Sequence, residues 1–269
     1  MKARLLIIDP QNDFCDIPGA ALPVAGANAD MTRLAALMKQ ARDKLGDITV
    51  TLDSHASVGI ERTTFWTTAD GQPVAPFTQI AESDVRAGRF VPRDRQRLPD
   101  VLAYLAALER GGRYQLVVWP VHCVIGTWGH NIHEAVAAEL AAWEQATQRT
   151  ALRVLKGLNP MTEQYSAVQA EVPDARDPQT LPNRTLIERA RPSGGLLLVA
   201  GEAASHCVAA TMEHLFTALT ANERARVVIL SDCMSPVGSF EAQAGKFYVQ
   251  ARAQGARVMT SNEALAELA

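Results

Sequence analysis

The 269-residue sequence has no apolar run approaching the roughly 20 residues that a bilayer-spanning helix requires. The run behind Met1-Lys-Ala-Arg4 is too short for the core of a secretory signal. No membrane partner and a cytoplasmic setting are therefore expected. Cysteine is scarce: four residues, none in a CxxC pair, argue against a disulfide framework and against a structural zinc site. An excess of positive charge is lacking too. With 26 Lys and Arg against 29 Asp and Glu, the chain carries neither a basic footprint for nucleic acid nor a polybasic membrane patch. Repeats, low-complexity runs and an interdomain linker are also missing, so the expected partner is a small molecule.

Hydrophobic residues make up 48% of the chain, enough for a sizeable core. Short apolar runs alternate with helical periodicity from end to end, which predicts a single α/β domain over 1–269. The expected strands are Leu5–Ile8, Ile48–Leu52, Tyr114–Val118, Ala151–Leu155, Leu196–Ala200 and Arg226–Leu230, with Val258-Met259 as a short extension. Helices are expected from Ala27 to Leu45, from Pro99 to Gly111-Gly112, from Asn131 to Ala146, over Asn183–Arg191 with Asn183 as cap, beyond Cys207, and from Phe240 to Ala253. Residues 56–98 and 157–181 have little periodicity and read as long connections. The first carries Phe65, Trp66, Phe77, Ile80 and Phe90 as apolar anchors.

Polar residues recur at the ends of these strands. In an open α/β sheet the ligand crevice lies outside the carboxyl ends of the strands, so these positions are placed for chemistry. Asp9 follows the first strand; Asp53 and His55 end the second, two residues apart and on one face of an extended chain. An oxygen and a nitrogen ligand so placed suit a divalent metal such as Zn, Fe or Mn, and His122, just beyond Val118, supplies a third ligand. Lys156 ends the next strand. Cys207 lies where a strand turns into a helix, a setting in which unpaired N–H groups and the helix dipole favour thiolate. His130 and His133, despite their helical spacing, are read as structural, as are Cys123 and Asp232.

These residues resemble the nicotinamidase branch of the isochorismatase-like cysteine hydrolases, in order and over almost the whole chain. Asp9-Pro-Gln-Asn-Asp-Phe14 looks like the catalytic-aspartate motif and Asp53-Ser-His55 like the metal motif. Trp119-Pro-Val-His-Cys123 resembles the segment with a further metal histidine, Lys156-Gly157 the catalytic lysine, and Gly201-Glu-Ala-Ala-Ser-His-Cys207 the nucleophile motif. The resemblance implies a three-layer sandwich with a six-stranded parallel sheet between helices. It also implies Asp9, Lys156 and Cys207 as catalytic residues, and a cis peptide at Glu202-Ala203 that aims the N–H groups of Ala203 and Cys207 into an oxyanion hole.

Phe14 and Trp119 match the aromatic residues that flank the substrate ring. One divalent metal, zinc above all, would be held by Asp53, His55 and His122, with Glu61 as a candidate fourth ligand. The implied activity is deamidation of nicotinamide to nicotinate and ammonia through a thioester, a step of NAD salvage. The alternatives are another small amide or carbamoyl substrate, or a binding relative without turnover; isochorismatase itself does not need the metal residues. Glu202 and Ala204 depart from the usual motif, which is often apolar and Thr there. The long connections are candidates for a lid, a larger substrate site or a contact in a homo-oligomer.

Overall fold

In the computed structural model, which describes residues 2–192 and 194–268, strands and helices alternate along the chain. In order they are β1 (Ala3–Ile8), α1 (Ala27–Gln40), β2 (Leu45–Asp53), β3 (Trp66–Thr68), β4 (Gln79–Ile80), α2 (Glu82–Arg86), β5 (Phe90–Pro92), α3 (Leu98–Gly111) and β6 (Leu116–Val117). There follow α4 (Glu134–Thr147), β7 (Leu152–Lys156), α5 (Arg184–Ala190), β8 (Leu197–Gly201), α6 (Cys207–Ala218), α7 (Ala221–Arg224), β9 (Val227–Leu230), α8 (Glu241–Ala253), β10 (Arg257–Met259) and α9 (Ser261–Leu268).

Six strands form one parallel sheet in the order β10-β9-β8-β1-β2-β7. Leu5, Leu6, Ile7 and Ile8 of β1 and every residue of β8 and β9 are buried, as strands covered on both faces must be. Helix α1 packs against α4 and α9, and α6 against α5 and α8, so helices cover both faces. Asn183 caps α5 as expected, its Oδ1 accepting from the Leu186 N–H at 3.0 Å.

β1 lies between β2 and β8, so the sheet grows in both directions from it. That makes the carboxyl end of β1 the topological switch point, where the crossovers diverge and leave a crevice. The register puts Ile8 beside Gly201 and Asp53 beside Lys156, which brings four of the polar strand ends to one rim.

One expected strand is elsewhere. Leu116–Val117 does not join the central sheet; it pairs antiparallel with Gln79–Ile80, and the sixth place is taken by Arg257–Met259. The physical reason is a second apolar cluster, in which Leu116 and Val118 pack with Ile60, Phe65, Trp66, Ile80, Val101 and Leu105. The connection 56–98 is thus ordered: besides β4 it holds β3 and β5, which pair antiparallel, and α2. Residues 157–181 form one 3-10 turn at Pro178–Thr180, yet Thr162 to Val168 are all buried.

Candidate active site and metal centre

Each polar residue at the rim is carried by a different element. Asp9 follows β1, and its backbone N–H and its carboxylate both use Thr51 of β2: the N–H donates to Oγ1 at 3.1 Å, and that hydroxyl donates to Asp9 Oδ1 at 2.5 Å. Lys156 ends β7 and is the hub. Its Nζ lies 2.9 Å from Asp9 Oδ2 and donates to Asp53 Oδ1 at 2.7 Å, to the Gln164 carbonyl at 3.1 Å and to Cys207 Sγ at 3.5 Å. Cys207 is the first residue of α6, four residues beyond Ala203 of the Glu202-Ala203 bond, which is cis. Among the described residues, neither the Ala203 nor the Cys207 N–H donates a hydrogen bond, so both are free for an acceptor in the cleft.

Two glycines permit the crowding. Gly201 has φ 118°, and a Cβ there would stand 1.9 Å from the Ile8 carbonyl oxygen. Gly157 has φ 76° and passes so close to His55 that a Cβ would stand 2.5 Å from its Cε1.

Burial controls the protonation of this group. It pushes the Cys207 thiol well above its ordinary value; Lys156 opposes that, and Asp9 and Asp53 add to it. The thiolate expected from the helix terminus alone is overruled, because Cys207 is buried beside two carboxylates as well as one ammonium. Burial also raises Asp9, more than Lys156 lowers it. For Lys156 burial works against the charge, but Asp53, Asp9 and Cys207 together hold its pKa well above the ordinary value. The Cys207 thiol thus sits beside a charged Lys156 and the Asp9 carboxyl, whose hold on a proton burial has strengthened.

On the other side of Asp53 the two histidines converge. His55 Nε2 lies 2.7 Å and His122 Nε2 3.3 Å from Asp53 Oδ2, and one ligand atom of each of the three residues falls within 4.8 Å of the others. Despite burial, His55 and Lys156 keep Asp53 well below the usual carboxylate range, whereas burial lowers His55 and takes His122 down to about 4. One carboxylate and two neutral imidazoles are a donor set that fits a zinc-like divalent ion. Asp53 therefore divides its oxygens, Oδ1 to Lys156 and Oδ2 to the metal side.

His122 arrives by a route other than a central strand. Its loop is held by isolated bridges between His55 and Val124 and between Arg62 and Trp119. His122 Nδ1 lies 2.8 Å from the Pro120 carbonyl and beside the fully buried Arg62 guanidinium. The Pro120 carbonyl calls for a hydrogen on Nδ1, which leaves Nε2 free to ligate, whereas the Arg62 guanidinium, able only to donate, calls for a bare Nδ1. Glu61 does not stand among the converging atoms: its Oε1 is 3.5 Å from His55 Nδ1 and 3.0 Å from Arg62 Nε. Its nearer partner is the Arg62 guanidinium, and it lies beside His55 in the wall of the cleft.

These residues open on a cleft that also includes Phe14, Trp119, Ala203 and Cys207 in its walls. Phe14 leans on His122, with ring centroids 5.3 Å apart. Trp119 meets Tyr165 at 6.3 Å and His206 at 5.3 Å, edge to face, and its Nε1–H donates to Glu163 Oε2 at 3.1 Å. Asp9 lies below the cleft rather than in its wall, fully buried behind Lys156.

Glu163, Tyr165 and His206 were not singled out in the sequence. Glu163 and Tyr165 lie in the aperiodic connection 157–181, where only their closeness to Lys156 was a signal. His206 adjoins Cys207 and could have been found by that adjacency. Burial and the neighbouring Glu61 and Asp53 push Glu163 up to about 8, and burial takes His206 down to about 4, so both are neutral at pH 7. His130 bonds Ser54 Oγ at 2.9 Å and His133 bonds Asn28 Oδ1 at 3.0 Å. Cys123 is buried, its N–H donating to Asp13 Oδ2 at 2.6 Å. Asp232 accepts from the backbone N–H and hydroxyl of Ser261 at the start of α9.

The sheet order, the two helical layers and the rim at the switch point define the isochorismatase-like α/β fold, shared with an isochorismatase family protein from Desulfovibrio vulgaris at TM-score 0.52 and 18% identity, over 97% of this chain and 95% of that one. More particularly, the chain is similar to the Acinetobacter baumanii nicotinamidase pyrazinamidase, at TM-score 0.63 and 20% identity over 97% of both chains. It is similar also to the zinc-complexed pyrazinamidase of Pyrococcus horikoshii, at TM-score 0.54 and 17% identity over 97% of this chain and 99% of that one. No protein-family model matches the sequence, and no curated protein does. Identities this low establish the fold and leave the chemistry to the side chains.

Proposed function

We propose that this protein is a metal-assisted cysteine amidohydrolase that converts nicotinamide to nicotinate and ammonia, and acts in the cytoplasm in the salvage of NAD. The observation that carries the reading is Lys156, whose Nζ is within 2.7–3.5 Å of Asp53, Asp9 and Cys207 at once and so ties a nucleophile, a base and a metal carboxylate into one unit. The similarity to nicotinamidases supports the choice of substrate.

In this reading Asp9 takes the proton from Cys207 Sγ, and Lys156 stabilises the thiolate and carboxylate as the charge moves between them. The thiolate attacks the amide carbon, and the N–H groups of Ala203 and Cys207 donate to the developing oxyanion. Asp9 returns its proton to the amide nitrogen, the C–N bond breaks and ammonia leaves. A water molecule, deprotonated by Asp9, then attacks the thioester; the Cys207 sulfur departs and regains the proton, and the acid is released. A divalent ion held by Asp53, His55 and His122 would supply a Lewis acid for the pyridine nitrogen and so orient the ring between Phe14 and Trp119.

The test is ammonia release from nicotinamide by metal-loaded protein. Turnover lost in Cys207→Ala and after chelation, and restored by added zinc, is the expected result; turnover by Cys207→Ala, or none by wild type with bound metal, overturns it. A second reading, another small carboxamide or a carbamoyl compound, is favoured by Glu61 and Glu163, two carboxyl groups that line the same cleft. A panel of amides assayed for ammonia separates the two.

A further inference from the structure

Glu202 is the residue at which the nucleophile motif departs most in polarity from the family it resembles, and it is 0% exposed. Its side chain is not in the cleft wall. It turns to the opposite side, toward α1 and the loop after β9. There Oε2 accepts from the Ser235 N–H at 3.1 Å. The Ser235 carbonyl accepts from the Ala204 N–H at 2.9 Å, and the Ser235 hydroxyl donates to Asp30 Oδ2 of α1 at 2.5 Å. Ser235 thus holds the chain on both sides of Ala203, through the Glu202 side chain and the Ala204 backbone. Ala203 carries one of the two free N–H groups that face the cleft.

Ser235 thereby links two buried carboxyl groups, Glu202 through its N–H and Asp30 through its hydroxyl. Glu202 Oε1 accepts from no donor among the described residues, so it is the oxygen free to carry a proton. Asp30 is also paired with Arg33. Burial and the facing carboxylates of Asp30 and Asp16 push Glu202 well above the usual carboxylate range. The other titratable groups that face it are Cys15, ahead of α1, and Tyr248 on α8, both of which feel its charge.

We propose that Glu202, tied to Ser235, is a positioning residue that holds the Ala203 N–H on the oxyanion. The inference rests on the cysteine-amidase reading and deepens it: the oxyanion hole is set from behind by a buried carboxyl group bound to Ser235. An ionised Glu202 would repel Asp30 and loosen the turn, so the N–H would lose its aim as pH rises.

The experiment compares wild type, Glu202→Gln, Glu202→Leu and Ser235→Ala, all metal-loaded, for kcat and KM on nicotinamide and for Tm across pH 6–9.5. Loss of one oxyanion donor costs about 100- to 1,000-fold in kcat, so a misaimed donor is expected to cost Glu202→Leu about 10- to 100-fold, with KM within about twofold. Ser235→Ala is expected to lose about three- to tenfold, and it carries the test should Glu202→Leu not fold. Glu202→Gln, neutral and able to accept from the Ser235 N–H through its amide oxygen, is expected to stay within about threefold of wild type, and to lose less of its kcat than wild type does between pH 7 and 9.5. Folded Glu202→Leu, or Ser235→Ala, with unchanged kcat overturns the proposal; so does a Glu202→Gln variant as impaired as Glu202→Leu, or one with the same alkaline loss as wild type. Should wild type turn over no amide, the amidase reading fails, and positioning is then judged on the Cys207 adduct with nicotinaldehyde, followed by tryptophan fluorescence. Weaker adduct formation in Glu202→Leu and Ser235→Ala but not in Glu202→Gln supports it, and equal affinity in all four proteins overturns it.

Discussion

Lys156→Met removes the ammonium from the centre of the site while keeping most of the volume of its stem. Lys156 is 2% exposed and within 2.9 Å of carboxylate oxygens on two residues, Asp9 and Asp53, which are themselves 0% and 5% exposed. Breaking a buried ion pair from one side costs about 3–5 kcal/mol, because the surviving charge is left buried and unpaired. Relief comes from protonation. Asp9 is already raised, and without Lys156, which lowers it, it will hold a proton further up the pH scale.

Two effects should follow together. Stability should fall by about 3–5 kcal/mol, which for a chain of this size is a Tm lower by about 6–20 °C. Turnover should fall by at least about 100-fold, since a protonated Asp9 cannot act as base. In wild type the active form needs Asp9 ionised, so kcat/KM should rise with pH through the raised Asp9 value; in Lys156→Met that limb should move to higher pH. Ammonia release between pH 4 and 9 and calorimetry measure both effects. A variant with an unmoved acid limb and a Tm within about 2 °C of wild type would refute the view that Lys156 neutralises Asp9 and Asp53.

The pH dependence of stability can be traced to Glu163. Its folded pKa of about 8 exceeds the ordinary value of 4.5, so the folded state binds the extra proton. The stabilisation it contributes is complete below pH 4.5 and is lost as pH rises to about 8. Glu163→Gln, which cannot titrate, should therefore show a smaller fall in Tm than wild type between pH 5 and 9, and parallel curves would count against a neutral Glu163. Gly201→Ala should cost about 1–3 kcal/mol from its backbone conformation alone, and more because the new Cβ meets the Ile8 carbonyl. Urea unfolding measures it, and a loss under about 1 kcal/mol would show that β8 and β1 can move apart.

Much of this arrangement is legible in the sequence because a parallel sheet concentrates its polar residues at one edge. An apolar run such as Leu5–Ile8 can be buried on both faces only as a central strand, and the next residue is then at the rim whatever the rest of the chain does. That reasoning places Asp9, Asp53, Lys156 and Cys207. It fails for Leu116–Val117, whose apolar character is equally well satisfied by the second cluster, and for Val258-Met259, too short to compete on pattern alone yet paired with β9. Strand membership depends on which partner offers its hydrogen bonds, and a run of two or three residues does not encode that.

His122 nonetheless meets Asp53 and His55, because its position depends on the Arg62-Trp119 and His55-Val124 bridges rather than on a strand in the sheet. The protonation states lay further out of reach. A helix terminus argues for a thiolate at Cys207, but the outcome is decided by burial and by the balance of Asp9, Asp53 and Lys156, and that balance exists only once three crossovers have brought the strand ends together. The same holds for Glu202. In the sequence it is a misplaced charge beside an oxyanion hole; in the fold it points away from the cleft and meets Asp30 and Ser235. The residue that looked least compatible with the chemistry is the one best placed to hold Ala203 still.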